Sequence, residues 1–128
     1  MASILRVNTI TDASSNNSIA TSIVASGSAK TWYNFTMVTT TAFRDSFNCS
    51  GLTDNGSGDT TIAFTSNFTN NDYALAVSHQ RNASTAEGQD YTPYQNSDDS
   101  MATNEIRLAT EGAEDFLGAY GSIHGDLA

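Results

Sequence analysis

The sequence predicts an all-β protein: a small antiparallel β-sandwich, jelly-roll-like, preceded by an extended N-terminal segment. Three observations lead there. First, 17 Thr, 16 Ser and 12 Asn occupy a 128-residue chain in which only 15% of residues are charged, against ~25% in average globular proteins. These small polar side chains compete for backbone hydrogen bonds and are poor in helix interiors. Second, from Lys30 onward apolar and polar residues alternate in short runs, the period of half-buried strands. Third, clusters rich in Asn, Asp and Gly separate those runs, as turns do.

Residues 1–28 stand apart. They contain no aromatic residue and form two short apolar pieces, Ile4 to Ile10 and Ile19 to Ala25, split by the polar run Asp12 to Ser18. Such a stretch buries little surface by itself and defaults to an extended or disordered state. Ala25-Ser26-Gly27-Ser28 reads as a linker. The chain therefore divides into an attachment or oligomerisation segment, 1–28, and a sandwich domain, 29–128.

In the second part, Tyr33, Phe35 and Met37 share one side of a strand, and Trp32 lies on the other. Phe43, Phe47 and Cys49 share a parity in the next run, with Asp45 the odd member. Asp54-Asn55-Gly56-Ser57-Gly58-Asp59 is the turn of a hairpin, because Asn-Gly tolerates positive φ. It joins a strand over 43–52 to one over 60–65. Asn70-Asn71-Asp72 is a second turn, followed by the alternation of Tyr73, Leu75 and Val77. Residues 82–103 are too long for an ordinary connection: they form a surface loop or hide a short strand at Tyr91 to Tyr94. Ile106 and Leu108, then Leu117, Ala119 and Ile123, complete the pattern. Phe35, Phe43, Phe47, Ile62, Phe64, Leu75 and Val77 are the expected core.

Composition excludes several functions. With five Lys and Arg and a net charge of -9, the chain lacks the basic footprint of a nucleic-acid binder and suits no anionic membrane surface. The longest apolar runs fall short of the ~18 residues of a membrane span, and the N-terminus has no apolar core of signal-peptide length, so synthesis in a cytoplasm is expected. Cys49 is the only cysteine, which rules out an intrachain disulfide. It lies on the apolar side of its strand and reads as a core thiol. His79 and His124 are far apart and read as ordinary strand-end side chains. The Asp54–Asp59 run lacks the twelve-residue oxygen pattern of a calcium loop. Glu111, Glu114 and Asp115 read as a solvated acidic turn. The six Asn-x-Ser/Thr triplets, at Asn16, Asn34, Asn48, Asn55, Asn67 and Asn82, follow from composition. No catalytic, cofactor-binding or metal-ligating residues are expected, and no enzyme.

Aromatics outside the core carry more information, since they are frequent binding anchors. Trp32 is expected at a subunit interface together with Ile4, Leu5, Val7, Ile10, Ile19 and Ile23. Tyr91 and Tyr94, in the long polar stretch, are the candidates for receptor contact, with amide and carboxylate neighbours suited to sugar hydroxyls.

Three blocks, in order, resemble a known family: Ser3 to Ser18, Gly27 to Phe35, and Ala42 to Asp59. They are similar to the patterns V-x-T-I-x-D-A-S-G-N-N, A-K-A-W-V-N-F and R-x-S-F-N-V-S-S-I-T-D-N-G-T-G-D-Y of tail-fibre-like domains from phages of marine bacteria and cyanobacteria. The resemblance spans residues 3 to about 77. Ser15 departs from the family's Gly, Tyr33 from its Val, and Thr61 from its Tyr or Val. It implies a virion structural protein, made in the host cytoplasm and exposed on the particle: a short tail-fibre or a tail-tip or knob component, with contact to the host surface. A capsid decoration protein is the first alternative and a glycan-binding module the second. Fibres of this family usually carry a separate attachment domain, whereas this chain begins almost at the shared pattern, which favours a short stand-alone element. The resemblance also implies a homotrimer and docking on other virion proteins through residues 1–28. Host glycan or protein is the outer partner, with no nucleic acid, no membrane insertion and no cofactor.

Overall fold

The computed structural model describes residues 4, 6–80, 91–93, 100–110 and 115–128, with 91–93 described as backbone only. The strands are β1 (Thr9–Thr11), β2 (Ser18–Ala20), β3 (Thr31–Thr36), β4 (Ala42–Phe47), β5 (Cys49–Gly56), β6 (Asp59–Phe64), β7 (Ala74–Gln80), β8 (Tyr91–Pro93), β9 (Glu105–Thr110) and β10 (Gly118–His124). A short helix, α1 (Thr21–Gly27), lies between β2 and β3. β1 and β2 pair with each other, while the other strands form two four-stranded sheets ordered β4-β3-β10-β7 and β5-β6-β9-β8. The pairings are antiparallel throughout. The all-β sandwich is therefore the fold of this chain.

Alternation places the core between the two sheets. Tyr33, Phe35, Ala119 and Ile123 come from the first sheet, and Ile62, Phe64, Ile106 and Leu108 from the second, all buried in one cluster with Met37, Phe68, Tyr73 and Phe116. Burying apolar area of this kind is the dominant favourable contribution to folding. Phe35 meets Phe43 and Phe116 edge-on at centroid distances of 6.4 and 6.3 Å. Phe64, Phe68 and Tyr73 form a second aromatic group, with Phe64 and Phe68 5.1 Å apart. Offset and edge-on geometries suit the ring quadrupoles. Phe68 also bridges Leu127, which fastens the C-terminus across the end of the sandwich.

Two backbone features depart from the expected strands. The run from Phe43 to Leu52 is not one strand. It breaks at Asn48, whose φ of 58° turns the chain from the first sheet into the second. Asn is among the few residues that enter this region readily. Its side chain fastens the corner: Nδ2 donates to Thr31 Oγ1 at 3.1 Å and to the Ser66 carbonyl at 3.0 Å, and Oδ1 accepts from the Ser66 amide at 2.7 Å.

The second departure is a β-bulge in β4. Asn34 pairs with Asp45 but Phe35 pairs with Phe43, which leaves Arg44 as the extra residue. An extra residue reverses the inward and outward assignment of everything beyond it. Phe43 packs against the core, whereas Phe47, expected in the core on parity, faces solvent with 54% of its surface exposed. Phe35, Ile62 and Phe64 are buried as expected, and Phe43, Leu75 and Val77 are partly buried against them. The hairpin turn is where the sequence puts it: Gly56 pairs with Asp59, and Gly58 has a φ of 70°.

Residues 9–27 are more ordered than an extended segment. Asp12 organises the β1–β2 turn, its Oδ1 accepting from the Ser14 and Asn16 amides at 3.1 and 3.0 Å and its Oδ2 from Asn17 Nδ2 at 2.8 Å. Bonding from Asn17 holds the Asp12 carboxyl below its usual pKa. α1 buries no residue, has no side-chain N-cap and carries no acidic residue in its first turn. Lys30 supports its other end, donating to the carbonyls of Ala25 and Ser28, where a cation also suits the helix dipole.

Candidate functional site

Two surfaces have features beyond folding. The first is the N-terminal arm. Ile4, Val7, Ile10, Ile19, Ile23 and Val24 are exposed there, and the other large exposed apolar side chains among the described residues are Trp32, Phe47 and Leu127. Of the seven residues expected at an interface, Ile4, Val7, Ile10, Ile19 and Ile23 lie on the arm and are unburied in the single chain. Leu5 lies outside the described residues. Trp32 stands apart from them, on the sandwich.

The second surface is the outer face of the first sheet. β3 buries Thr31, Tyr33 and Phe35 and turns Trp32, Asn34 and Thr36 outward. Register aligns one outward row across four strands: Phe47 opposite Trp32, Trp32 opposite Ser122, and Ser122 opposite Ala76. The next row is Asp45, Asn34, Tyr120 and Ser78. Large aromatic groups on β3 and β4 thus stand beside small residues on β10 and β7. The step between them is an open groove of about 360 Å³ lined by Trp32, Tyr33, Ala76, Val77, Ser78, Tyr120, Gly121 and Ser122. Ligand sites begin at about this size and combine apolar walls with a few polar groups.

Gly121 makes the floor possible. A Cβ there would come within 2.3 Å of the Tyr33 ring packed on the inner side, so only glycine lets the buried tyrosine pass under the groove. Burial raises the Tyr33 pKa, and its hydroxyl has no hydrogen-bond partner among the described residues. Along the rim the Tyr120 hydroxyl donates to Gln80 Oε1 at 3.2 Å. Tyr120 lies over Gly118, as does Arg44, which also donates to the Leu117 carbonyl. The bulge at Arg44 is what brings Phe47 to this face, and nothing in a hydrophobic pattern marks its position.

The remaining candidates resolve into structural roles or fall outside the description. Tyr91 belongs to β8, whose backbone pairs with β9, in line with the short strand considered within 82–103. Its side chain, Tyr94 and residues 81–90 lie outside the described residues, as do Glu111 and Glu114. Asp115 accepts from the Gly58 amide at 3.0 Å and so braces the β5–β6 turn. Asp59 is bound by Arg107, with Nε at 2.8 Å from Oδ1 and a second contact from Nη2. That bonding holds the Asp59 carboxyl below its ordinary pKa.

Cys49 is half-buried, its Sγ 3.7 Å from the Trp32 carbonyl and 3.6 Å from that of Phe47, and burial pushes its pKa up to about 11. A thiol held protonated in this way is a poor nucleophile. His79 and His124 are on different faces of neighbouring strands, His79 near the Phe116 ring at 6.3 Å and His124 opposite Ala74. Among the described residues no group of three or more His, Cys, Asp or Glu converges as a metal site would. No helix among them is long and apolar enough to cross a membrane. Comparison with protein-family models, with curated proteins and with solved structures finds no match for the chain.

Proposed function

We propose that this chain is a virion surface protein of the tail-fibre type, in which the N-terminal arm attaches and associates while the sandwich projects. The observation that carries the reading is the distribution of exposed apolar side chains. Six of the nine large ones among the described residues lie on residues 4–24, on an arm whose helix buries none of its own residues, whereas the sandwich closes its own core. An arm of this composition gains by covering Ile10, Ile19 and Ile23 against another chain. The three sequence blocks similar to phage fibre domains supply the context. A homotrimer, with Ile4, Val7 and Ile10 or Ile19 and Ile23 near the axis, satisfies the arm most simply, and other virion proteins are its further partners.

Sedimentation of the full chain at micromolar concentration tests the association. A trimer that dissociates on Ile10→Asp plus Ile23→Asp is expected, and a monomer refutes self-association. Immunogold labelling of particles tests the location. Label at the tail supports the fibre reading, label over the head supports the decoration alternative, and unlabelled particles refute a virion role.

A further inference from the structure

We infer that the groove on the outer face of the β4-β3-β10-β7 sheet is a binding site for uncharged glycan, with Trp32 and Phe47 as the stacking platform. This inference is independent of any virion role, since it rests on the sandwich alone. Trp32 and Phe47 are directly opposite one another in the register and 39% and 54% exposed. Their backbones are held in a four-stranded sheet over a packed core, so exposure here is not the mobility of a loop. Flat aromatic faces fixed at a surface suit ligands with apolar faces and polar edges.

A sugar ring has that form: axial C–H groups make an apolar face, and hydroxyls surround it. The groove beside the platform matches in turn. Its floor is cut back to Ala76, Gly121 and Ser122, and its polar groups are the hydroxyls of Ser78, Ser122 and Tyr120, which both donate and accept. Site size, about 360 Å³, accommodates a few rings of a chain lying along the groove.

Charge decides between ligand classes. No Asp, Glu, Lys, Arg or His is among the residues lining the groove, and the protein as a whole carries -9. Acidic polysaccharide, nucleic acid and anionic lipid are therefore repelled at long range and find no cation among the lining residues; Arg44, beside the Tyr120 hydroxyl over Gly118, is engaged by the Leu117 carbonyl. An extended peptide would pair with a sheet edge, whereas this groove lies on the face, across β3, β10 and β7.

Trp32 is the only tryptophan, so emission excited selectively from tryptophan, and not from the five tyrosines, reports on this site. The experiment titrates the full chain with cello-, malto-, galacto- and mannohexaose and, as the acidic arm, with oligoalginate. The expected result is a saturable blue shift and intensity change with at least one neutral hexaose, none with oligoalginate, and affinity weakened roughly tenfold or more by Phe47→Ala. Ala76→Arg, on the floor of the groove, abolishes the response while the circular dichroism spectrum and melting temperature stay as in the parent. The inference is overturned if none of the four neutral hexaoses changes Trp32 emission at 10 mM, if oligoalginate binds more tightly than they do, or if Ala76→Arg leaves binding intact. It is equally overturned if the emission shifts with protein concentration alone, because a second copy then occupies the face.

Discussion

The sandwich and the N-terminal arm are built from much the same small polar residues, yet one closes on itself and the other does not. The difference lies in what alternates with them. From β3 onward the alternating positions hold Tyr33, Phe35, Phe64 and Tyr73, large enough to reach across to the opposite sheet. In the arm they hold Ile, Val and Ala, and none of the seven residues of α1 is buried. Local hydrogen bonds at Asp12 and Lys30 give the arm shape but no core. Regular secondary structure and burial are separable here, and a short helix without a buried face gains little stability on its own.

The contrast is broken most directly by paired truncations. Phe35→Ala removes a ring that is fully buried among Tyr33, Phe43 and Phe116 and is expected to cost ~3–5 kcal/mol. Ile10→Ala, in the arm, is expected to change the stability of the monomer by less than ~0.5 kcal/mol. Urea unfolding of both variants checks this. Equal losses would mean that the arm belongs to the core.

Asn48→Ala comes next. The variant loses three side-chain hydrogen bonds and puts a less tolerant residue at φ 58°. A loss of ~1–3 kcal/mol is expected, with Asn48→Gly intermediate because glycine restores only the backbone freedom. A Gly variant as stable as the parent would show that the side-chain bonds contribute nothing.

pH separates the regions as well, since the buried titratable groups belong to the sandwich. Burial raises Cys49 to about 11 and Tyr73 to about 12. The folded state therefore keeps protons that the unfolded chain releases from about pH 9 upward. Stability is full below that and declines as the pH climbs toward 11. Asp59 has the opposite sign: its pKa is lowered by Arg107, so its contribution is present above about pH 4 and lost as the pH falls through the lowered value. Urea midpoints between pH 3 and 11 follow both arms, and Cys49→Ala flattens the alkaline one.

The smallest effect is the most specific. Phe47→Ala is expected to cost less than ~1 kcal/mol, despite the size of the side chain, because the bulge at Arg44 turns Phe47 to the outer face. A loss of ~3–5 kcal/mol would restore the unbulged register.

Phe47 also marks where the sequence stops being legible. The sandwich, the hairpin at Asn55-Gly56, the inward row Tyr33-Phe35-Met37 and the outward position of Trp32 follow from alternation and turn chemistry. The bulge does not, because it is a one-residue count between strands that only the pairing partner defines. The corner at Asn48 carries a weak signal, an Asn between apolar neighbours, easily read as a strand residue. The groove on the outer face is half legible: the exposure of Trp32 is, but its neighbours Ser122 and Ala76 come from distant runs brought alongside by the β3-β10-β7 pairing. Phe116 is buried although it is out of phase with Ala119 and Ile123, because it precedes the strand that sets their phase.

The central claim is that residues 29–128 hold their own fold and the arm does not contribute to it. The direct measurement is the near-ultraviolet circular dichroism and amide NMR spectrum of a chain comprising 29–128 alone. The account predicts dispersed amide signals, aromatic bands from the Phe35 and Phe64 clusters, and cooperative unfolding in urea. A fragment with collapsed amide dispersion, no near-ultraviolet signal and strong binding of a hydrophobic dye would contradict it and make the arm part of the folding unit.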